Sequence, residues 1–324
     1  MLGLALLVAG CVAPRSEADG PSGSSEPVTF DGVRVVTDAG TFSAVLFPEA
    51  TPATAAFFGD LVEAGYYDGR EFGRVIPGFV IQEADKLGGA TDQSDTVVGE
   101  FGTAVHFSAG AFGIARGEDP DSGGSEFFVM DFAHAHLDGN YTAFAQVVEG
   151  IDVVRAIARV ATINTGTGGV FLPCAPGAPC PSAGRHDFAP VTPPVITSME
   201  LIAITLAADV AHHLPWQVGP RLDGEVDGQT ARFTPQWSAA IAADGEAYPL
   251  TWFVYTSPSE APPDLRALTV RVVGPAGVAS AIAHDADTLD GRILSFDARF
   301  HSAGTYVFSL LDANQTLAEF SVTV

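Results

Sequence analysis

The chain has almost no lysine. Lys86 is the single one in 324 residues, and Lys and Arg together number 15 against 39 Asp and Glu, a formal net charge of −24. Affinity for a phosphate backbone rests on clustered Lys and Arg, so nucleic acid is excluded as a partner. Such acidity suits an exported soluble protein or a salty habitat and selects no ligand. Charge is scarce altogether at 17%, whereas 47% of residues are hydrophobic and 10% aromatic, enough for ordinary cores. A chain this long is expected to form two domains rather than one. The apolar run at the start, MLGLALLVAG, has about half the roughly 20 residues that a membrane-crossing helix needs.

That run ends in Val8-Ala9-Gly10-Cys11. It resembles the bacterial lipobox, in which small residues precede a cysteine that is lipidated and becomes the first residue after cleavage. The plainer alternative is an ordinary signal peptide with an incidental cysteine, and no Lys or Arg precedes the run. Residues 14–27, PRSEADGPSGSSEP, cannot bury a core and read as a flexible tether. The expected order is a signal segment 1–11 ending at Cys11, then a tether 12–27, then folded domains. The implied location is outside the cytoplasm, with a lipid anchor at the periplasmic face of the outer membrane or at the cell surface of a bacterium. Only two further cysteines exist, Cys174 and Cys180, flanking APGAP. In an oxidising compartment a disulfide is the default for such a pair, and a metal pair with His186 is the rival.

Alternation of apolar and polar residues from Val33 to Phe47, around Asp38-Ala39-Gly40, predicts a hairpin. Thr51 and Pro52 open a helix as N-cap and first helical residue, with Phe57, Leu61 and Ala64 on one face and Gly65 as its stop. FGRVIPGFVIQ, FGTAVHFSAGAFGIAR, SEFFVM and TAFAQVVEG read as strands, GIDVVRAIARV as a second helix and VTPPVITSMELIAIT as a last strand. Many short strands with two helices suggest a closed barrel with capped ends. Beyond Ala207 lie all three tryptophans and strand-like runs such as PLTWFVYTS, LTVRVVGP, GRILSFDARF and GTYVFSLL, spaced as in a β-sandwich. Ala303-Gly304-Thr305-Tyr306 resembles the tyrosine corner of immunoglobulin-like domains. HDADTLDG, with Asp285, Asp287 and Asp290, lacks calcium-loop spacing, and His134 with His136 makes a weak metal pair. No cofactor or metal is expected.

Three blocks in order, GYYDGREFGRVIPGFVIQ, GIARGEDPDSGGSEFFVM and HLDGNYTAFAQVVEGIDVV, are similar to cyclophilin peptidyl-prolyl isomerases over a little more than half of the chain. The resemblance implies a mainly β fold: a closed antiparallel eight-stranded barrel capped by two helices over residues 28–206, with an insertion at about 163–190. An immunoglobulin-like sandwich over 207–324 would follow. It also implies an enzyme acting on Xaa-Pro bonds of exported polypeptides and assisting their folding. The uncatalysed exchange crosses a barrier of about 18–20 kcal/mol, and the twisted amide exposes a lone pair on the prolyl nitrogen. A donor aimed there favours the transition state over the ground state, and no nucleophile or metal is required. By resemblance Arg74 is that donor, and Phe79, Val80, Phe128 and Leu137 form the proline slot, with Phe112 in support. Gln82 bonds the substrate backbone, and the edge at Ala115 and Arg116 holds the peptide extended.

The blocks depart from the common family pattern in places. Glu126 stands where glutamine is usual, and it either pairs with Arg74 and holds it or weakens its donation. His136 replaces a tryptophan, which suggests weak cyclosporin binding, and Tyr141 replaces a histidine. Glu83-Ala84 and Ala145 replace glycines. A second reading from another class is a non-catalytic binding module or chaperone of this fold whose partner is chosen by the C-terminal domain.

Overall fold

The computed structural model describes residues 26–83, 96–102, 105–164, 169–171, 188–211, 213–226, 228–238, 240–256, 264–286, 292–313 and 315–324. The predicted first hairpin is present as β1 (Val28–Thr37) and β2 (Gly40–Leu46), joined by a two-residue turn. The Thr37 hydroxyl closes that turn by donating to the Gly40 carbonyl at 2.8 Å. Helix α1 (Pro52–Glu63) follows with proline in its first turn, as expected.

Its cap and its buried face both differ from the expectation. The Thr51 hydroxyl turns back to the Phe47 carbonyl, and the orphan N–H groups of Ala53 and Thr54 donate instead to the Glu100 carboxylate at 3.1 and 2.9 Å. The fully buried face is Ala55, Phe58 and Val62, while Phe57 and Leu61 pack at its margin. The two stripes are one residue apart, and Phe57-Phe58 leaves the choice between them to the tertiary packing.

Short strands β3 (Arg74–Ile76), β4 (Val80–Gln82), β5 (Ala111–Ile114), β6 (Phe127–Met130) and β7 (Ala143–Glu149) come next, then helix α2 (Ile151–Ala158). Three small strands, β8 (Thr162–Asn164), β9 (Gly169–Phe171) and β10 (Ala189–Pro190), make a separate sheet within the expected insertion. Strand β11 (Ile196–Leu206) completes the main sheet, whose order is β11-β1-β2-β7-β5-β6-β4-β3 and whose pairings are all antiparallel.

The count of eight strands matches the expectation, but the expected closure does not take the form of a ladder between β3 and β11. The residues just ahead of these two end strands meet instead. Glu71 and Val195 form an isolated bridge, Phe72 N–H donates to the Pro194 carbonyl and Ile196 N–H to the Arg70 carbonyl. Inside, Phe58, Tyr67, Phe72, Phe112, Phe127 and Phe144 pack with Val33 and Val35 and with Val154 and Ile157 of α2. Each such buried aromatic contributes on the order of 1.5–3 kcal/mol by leaving water.

After a short helix α3 (Ala208–Ala211) the chain builds two more sheets. One holds β12 (Trp216–Val218), β13 (Leu222–Val226), β14 (Gln229–Ser238), β15 (Ala247–Thr256), β18 (Asp285–Ala286) and β19 (Ile293–Arg299). The other holds β16 (Thr269–Val273), β17 (Ala279–Ile282), β20 (Thr305–Asp312) and β21 (Gln315–Thr323). They face one another across Phe233, Trp252, Phe308 and Phe320, with Trp252 edge-on to Phe320 at 4.9 Å and Phe308 stacked on it at 5.1 Å. The two sheets thus pack face to face across one core. The Tyr306 hydroxyl donates to the Ser302 carbonyl at 3.0 Å, a bond back to the backbone four residues upstream.

Candidate functional site

The site follows from strand pairing. Arg74 lies opposite Gln82, Gln82 opposite Phe128, and Phe128 opposite Gly113, so one row crosses β3, β4, β6 and β5. The next row on the same face is Ile76, Val80 and Met130. Side chains alternate between faces along a strand. Val75, Ile81, Phe127, Val129 and Phe112 therefore point into the main core, while Val80, Phe128 and Met130 build a second cluster on the outer face with Phe107, Leu137 and Ala143. Phe112, expected in support of the slot, belongs to the inner set on the other face of the sheet, stacked on Phe127 at 5.5 Å. A one-residue step along a strand decides the face.

Arg74, Phe79, Val80, Gln82, Phe128, Leu137 and Tyr141 are all brought to this outer face or its rim. Phe128 stacks on Phe107 at 5.5 Å and meets the Tyr141 ring edge-on at 6.0 Å. Gly113 makes the stacking possible, because a Cβ there would fall 2.3 Å from Phe128 Cζ and 2.6 Å from Phe107 Cε1. Phe79 stacks on His136 at 5.9 Å, so the residue standing in place of tryptophan serves as a rim plane. Phe79, Phe107, Phe128 and Tyr141 thus give this outer face an aromatic lining.

The polar end is a short relay. Arg74 Nη1 donates to Gln82 Oε1 at 2.8 Å, and Gln82 Nε2 reaches Glu126 Oε2 at 3.4 Å. Glu126 thereby orients the amide so that its oxygen faces the guanidinium. Burial holds the Arg74 pKa below its ordinary value, with Tyr141 pulling weakly the other way. The group keeps its charge, since an arginine does not lose its proton in a protein. A partly dehydrated guanidinium is a stronger donor to whatever enters the slot.

Ala115 and Arg116 are already engaged. Ala115 N–H donates to the Glu126 carbonyl, and Arg116 donates Nε and Nη2 to the Asn140 carbonyl at 2.9 and 2.6 Å while covering the Tyr141 ring at 4.6 Å. Arg116 thus secures the loop that carries Leu137 and Tyr141.

Two residues hold the turn ahead of Phe79, and no local pattern marks either for that task. Buried Asp131 accepts from Gly78 N–H at 2.8 Å and from Arg159 at 3.2 Å. His134 Nε2 donates to the Gly78 carbonyl at 2.6 Å. Together they pin the turn that presents Phe79. Gly78 holds φ +75 there, which glycine adopts without cost. Burial is the main reason that the His134 pKa is pushed down to about 4, so the ring is neutral at physiological pH. Burial, then Arg221, also lowers the His136 pKa, against Asp138. Phe107 was legible only as one aromatic among several in FSAGAFG.

Among the described residues no cluster of three His, Cys, Asp or Glu is arranged to hold a metal, and no helix is long and apolar enough to cross a membrane. Cys11, Cys174, Cys180, His186, Asp287 and Asp290 lie outside the described residues.

Comparison with known proteins converges on one family. The family described as cyclophilin type peptidyl-prolyl cis-trans isomerase/CLD matches residues 32–168. Peptidyl-prolyl cis-trans isomerase B of Bacillus subtilis is 36% identical over 126 residues, which are 38% of this chain and 87% of that protein. Peptidyl-prolyl cis-trans isomerase CYP71 of Arabidopsis thaliana is 36% identical over 136 residues, 41% of this chain but only 22% of that longer protein. A solved cyclophilin type isomerase from Cryptosporidium parvum aligns with 53% of this chain and 98% of its own, at 22% identity and a TM-score of 0.43. With its eight-stranded sheet, its two flanking helices and this pocket row, the chain belongs to the cyclophilin-type peptidyl-prolyl cis-trans isomerase family.

Proposed function

We propose that the chain is an exported, lipid-anchored prolyl isomerase that binds proline-containing polypeptides and assists their folding outside the cytoplasm. The observation that carries the catalytic reading is the row Arg74–Gln82–Phe128–Gly113, which sets a fixed guanidinium at the polar end of an apolar slot. The proline ring seats among Phe79, Val80, Phe128 and Leu137. Arg74 donates to the prolyl nitrogen as the amide twists and its lone pair localises. That bond is strongest in the twisted state, so it lowers the barrier rather than only tightening binding. Gln82 holds the guanidinium in register and remains within reach of the substrate backbone.

The anchor at Cys11, the tether, the Cys174–Cys180 disulfide, the location at a bacterial membrane face and the division at about residue 206 belong to this proposal. So does the immunoglobulin-like assignment of the sandwich, which the Tyr306–Ser302 bond supports. A protease-coupled assay on a proline tetrapeptide tests the catalytic reading. Arg74→Ala is expected to lower kcat/KM by about 100-fold, the scale of losing one transition-state donor. A wild-type rate no faster than the uncatalysed exchange would refute it and favour a binding module.

A further inference from the structure

The sheet of β14, β15 and β19 carries a buried patch on its outer face as well as a buried inner face. Its inner face, with Phe233, Leu250, Trp252 and Val254, fills the sandwich core. The alternate residues on its outer face, Thr234, Gln236, Phe253 and Ile293, are buried as well, and Phe253 and Ile293 cluster with Ala109, Phe132 and Ala133 of the isomerase domain. Phe253 meets Phe132 at 5.3 Å, and Gln236 Oε1 accepts from Ala109 N–H at 3.0 Å. Phe132 and Ala133 immediately precede His134 in the loop that lines the pocket. The docking face is thus next to the site.

Following that outer face along β15 leads to Tyr255, whose ring carbons lie 3.2 Å from where a Gly78 Cβ would be. Opposite Tyr255 stands Arg232, and opposite Arg232 stands Asp223. The row therefore runs outward from the Phe79 turn. Arg221 and Arg232 both approach Asp223 Oδ1, at 3.3 and 3.6 Å, so two guanidinium groups share one carboxylate oxygen. Both side chains are about half exposed. Glu225 follows Asp223 on the same strand face. Arg221 acts on His134 and His136 and Arg232 acts on His134, while Asp138 acts on His136 in the opposite sense. In a chain with 39 acids and 15 bases, this rim sets two arginines beside two acids, an even balance where the chain as a whole is strongly acidic.

We propose that the C-terminal sandwich is a wall of the substrate groove and that Arg221 and Arg232 select peptides with a carboxylate side chain near the isomerised proline. This rests on the reading of the Arg74 face as the proline site. A planar guanidinium pair matches a carboxylate, and the ion pairs formed at such an exposed rim are modest and salt-sensitive.

The test uses the full chain and proline peptides identical except for Glu, Gln or Lys at one flanking position, placed on each side of the proline in turn. Exchange rates are read by NMR at low and high salt. Wild type is expected to favour Glu over Lys by about two- to fivefold in kcat/KM on one flank, with the preference fading in salt. The Glu-to-Lys ratio should fall toward one in Arg221→Ala/Arg232→Ala and invert in Arg221→Glu. A ratio near one in wild type, or a ratio unchanged by these substitutions, overturns the proposal alone. A wild-type rate on the Gln peptide no greater than that of Arg74→Ala overturns the reading of the site, and this proposal with it.

Discussion

Acid should loosen the turn that presents Phe79, and His134 is the group that carries the effect. The unfolded chain protonates this imidazole near 6.5, whereas in the fold its pKa is pushed down to about 4. Between those values the unfolded state binds a proton that the folded state refuses. The contribution is therefore complete above about pH 6.5 and is lost as pH falls toward 4. Weighing the two titrations at about pH 5 against pH 7 gives a loss on the order of 2 kcal/mol. The charged groups acting on the ring are His136, Arg221 and Arg232, all of which oppose a second positive charge.

The perturbation is His134→Gln, which keeps a donor for the Gly78 carbonyl and removes the titration. Urea unfolding of both proteins is followed by far-UV circular dichroism, because every tryptophan lies in the sandwich and would report the other unit. Carboxylates titrate equally in both proteins and cancel in the comparison. Wild type should lose on the order of 2 kcal/mol more than His134→Gln between pH 7 and about pH 5. An excess loss below about 0.5 kcal/mol, or an imidazole resonance that titrates at its ordinary value, would refute the reasoning.

Gly113→Ala places a methyl group where Phe128 Cζ and Phe107 Cε1 already stand. It should raise KM for proline peptides and cost about 1–3 kcal/mol by overpacking, read from kinetics and a melt together. An unchanged KM would mean that the Phe128–Phe107 stack does not shape the slot. Glu100→Ala uncaps α1 and should lower stability by about 0.5–2 kcal/mol, visible as a lower Tm with the assay at permissive temperature little changed. A Tm equal to wild type would show that water serves those two N–H groups as well as the carboxylate does.

The residues of the candidate site were named from family resemblance, and several of them sit close together in sequence. Arg74, Phe79 and Gln82 belong to one hairpin, and pairing alone sets Arg74 opposite Gln82. The face of Phe112 was not legible, since FSAGAFG gives no start point for counting alternation and a bulge shifts the register between Phe112 and Gly113. Thr51 fulfilled the sequence rule for a cap, yet Glu100, 46 residues beyond Thr54, made the bonds. Asp131 reaches Gly78 across 53 residues, and no local pattern marks a carboxylate for such a task.

Resemblance to a family pointed to Arg74 and the apolar slot, while the amino-acid order by itself determined the first hairpin and the two main helices. These depend on periodicity and on residue chemistry within a few positions. Only the tertiary structure decided which stripe of α1 is buried, how the ends of the sheet meet and which groups hold the Phe79 turn. It also placed the second unit against the first. Phe253 and Gln236 alternate with core residues as any outward-facing strand positions do, and nothing local distinguishes a face turned to water from one turned to another domain. That choice is made by complementary surfaces more than 100 residues apart in sequence, as for Ala109 and Gln236.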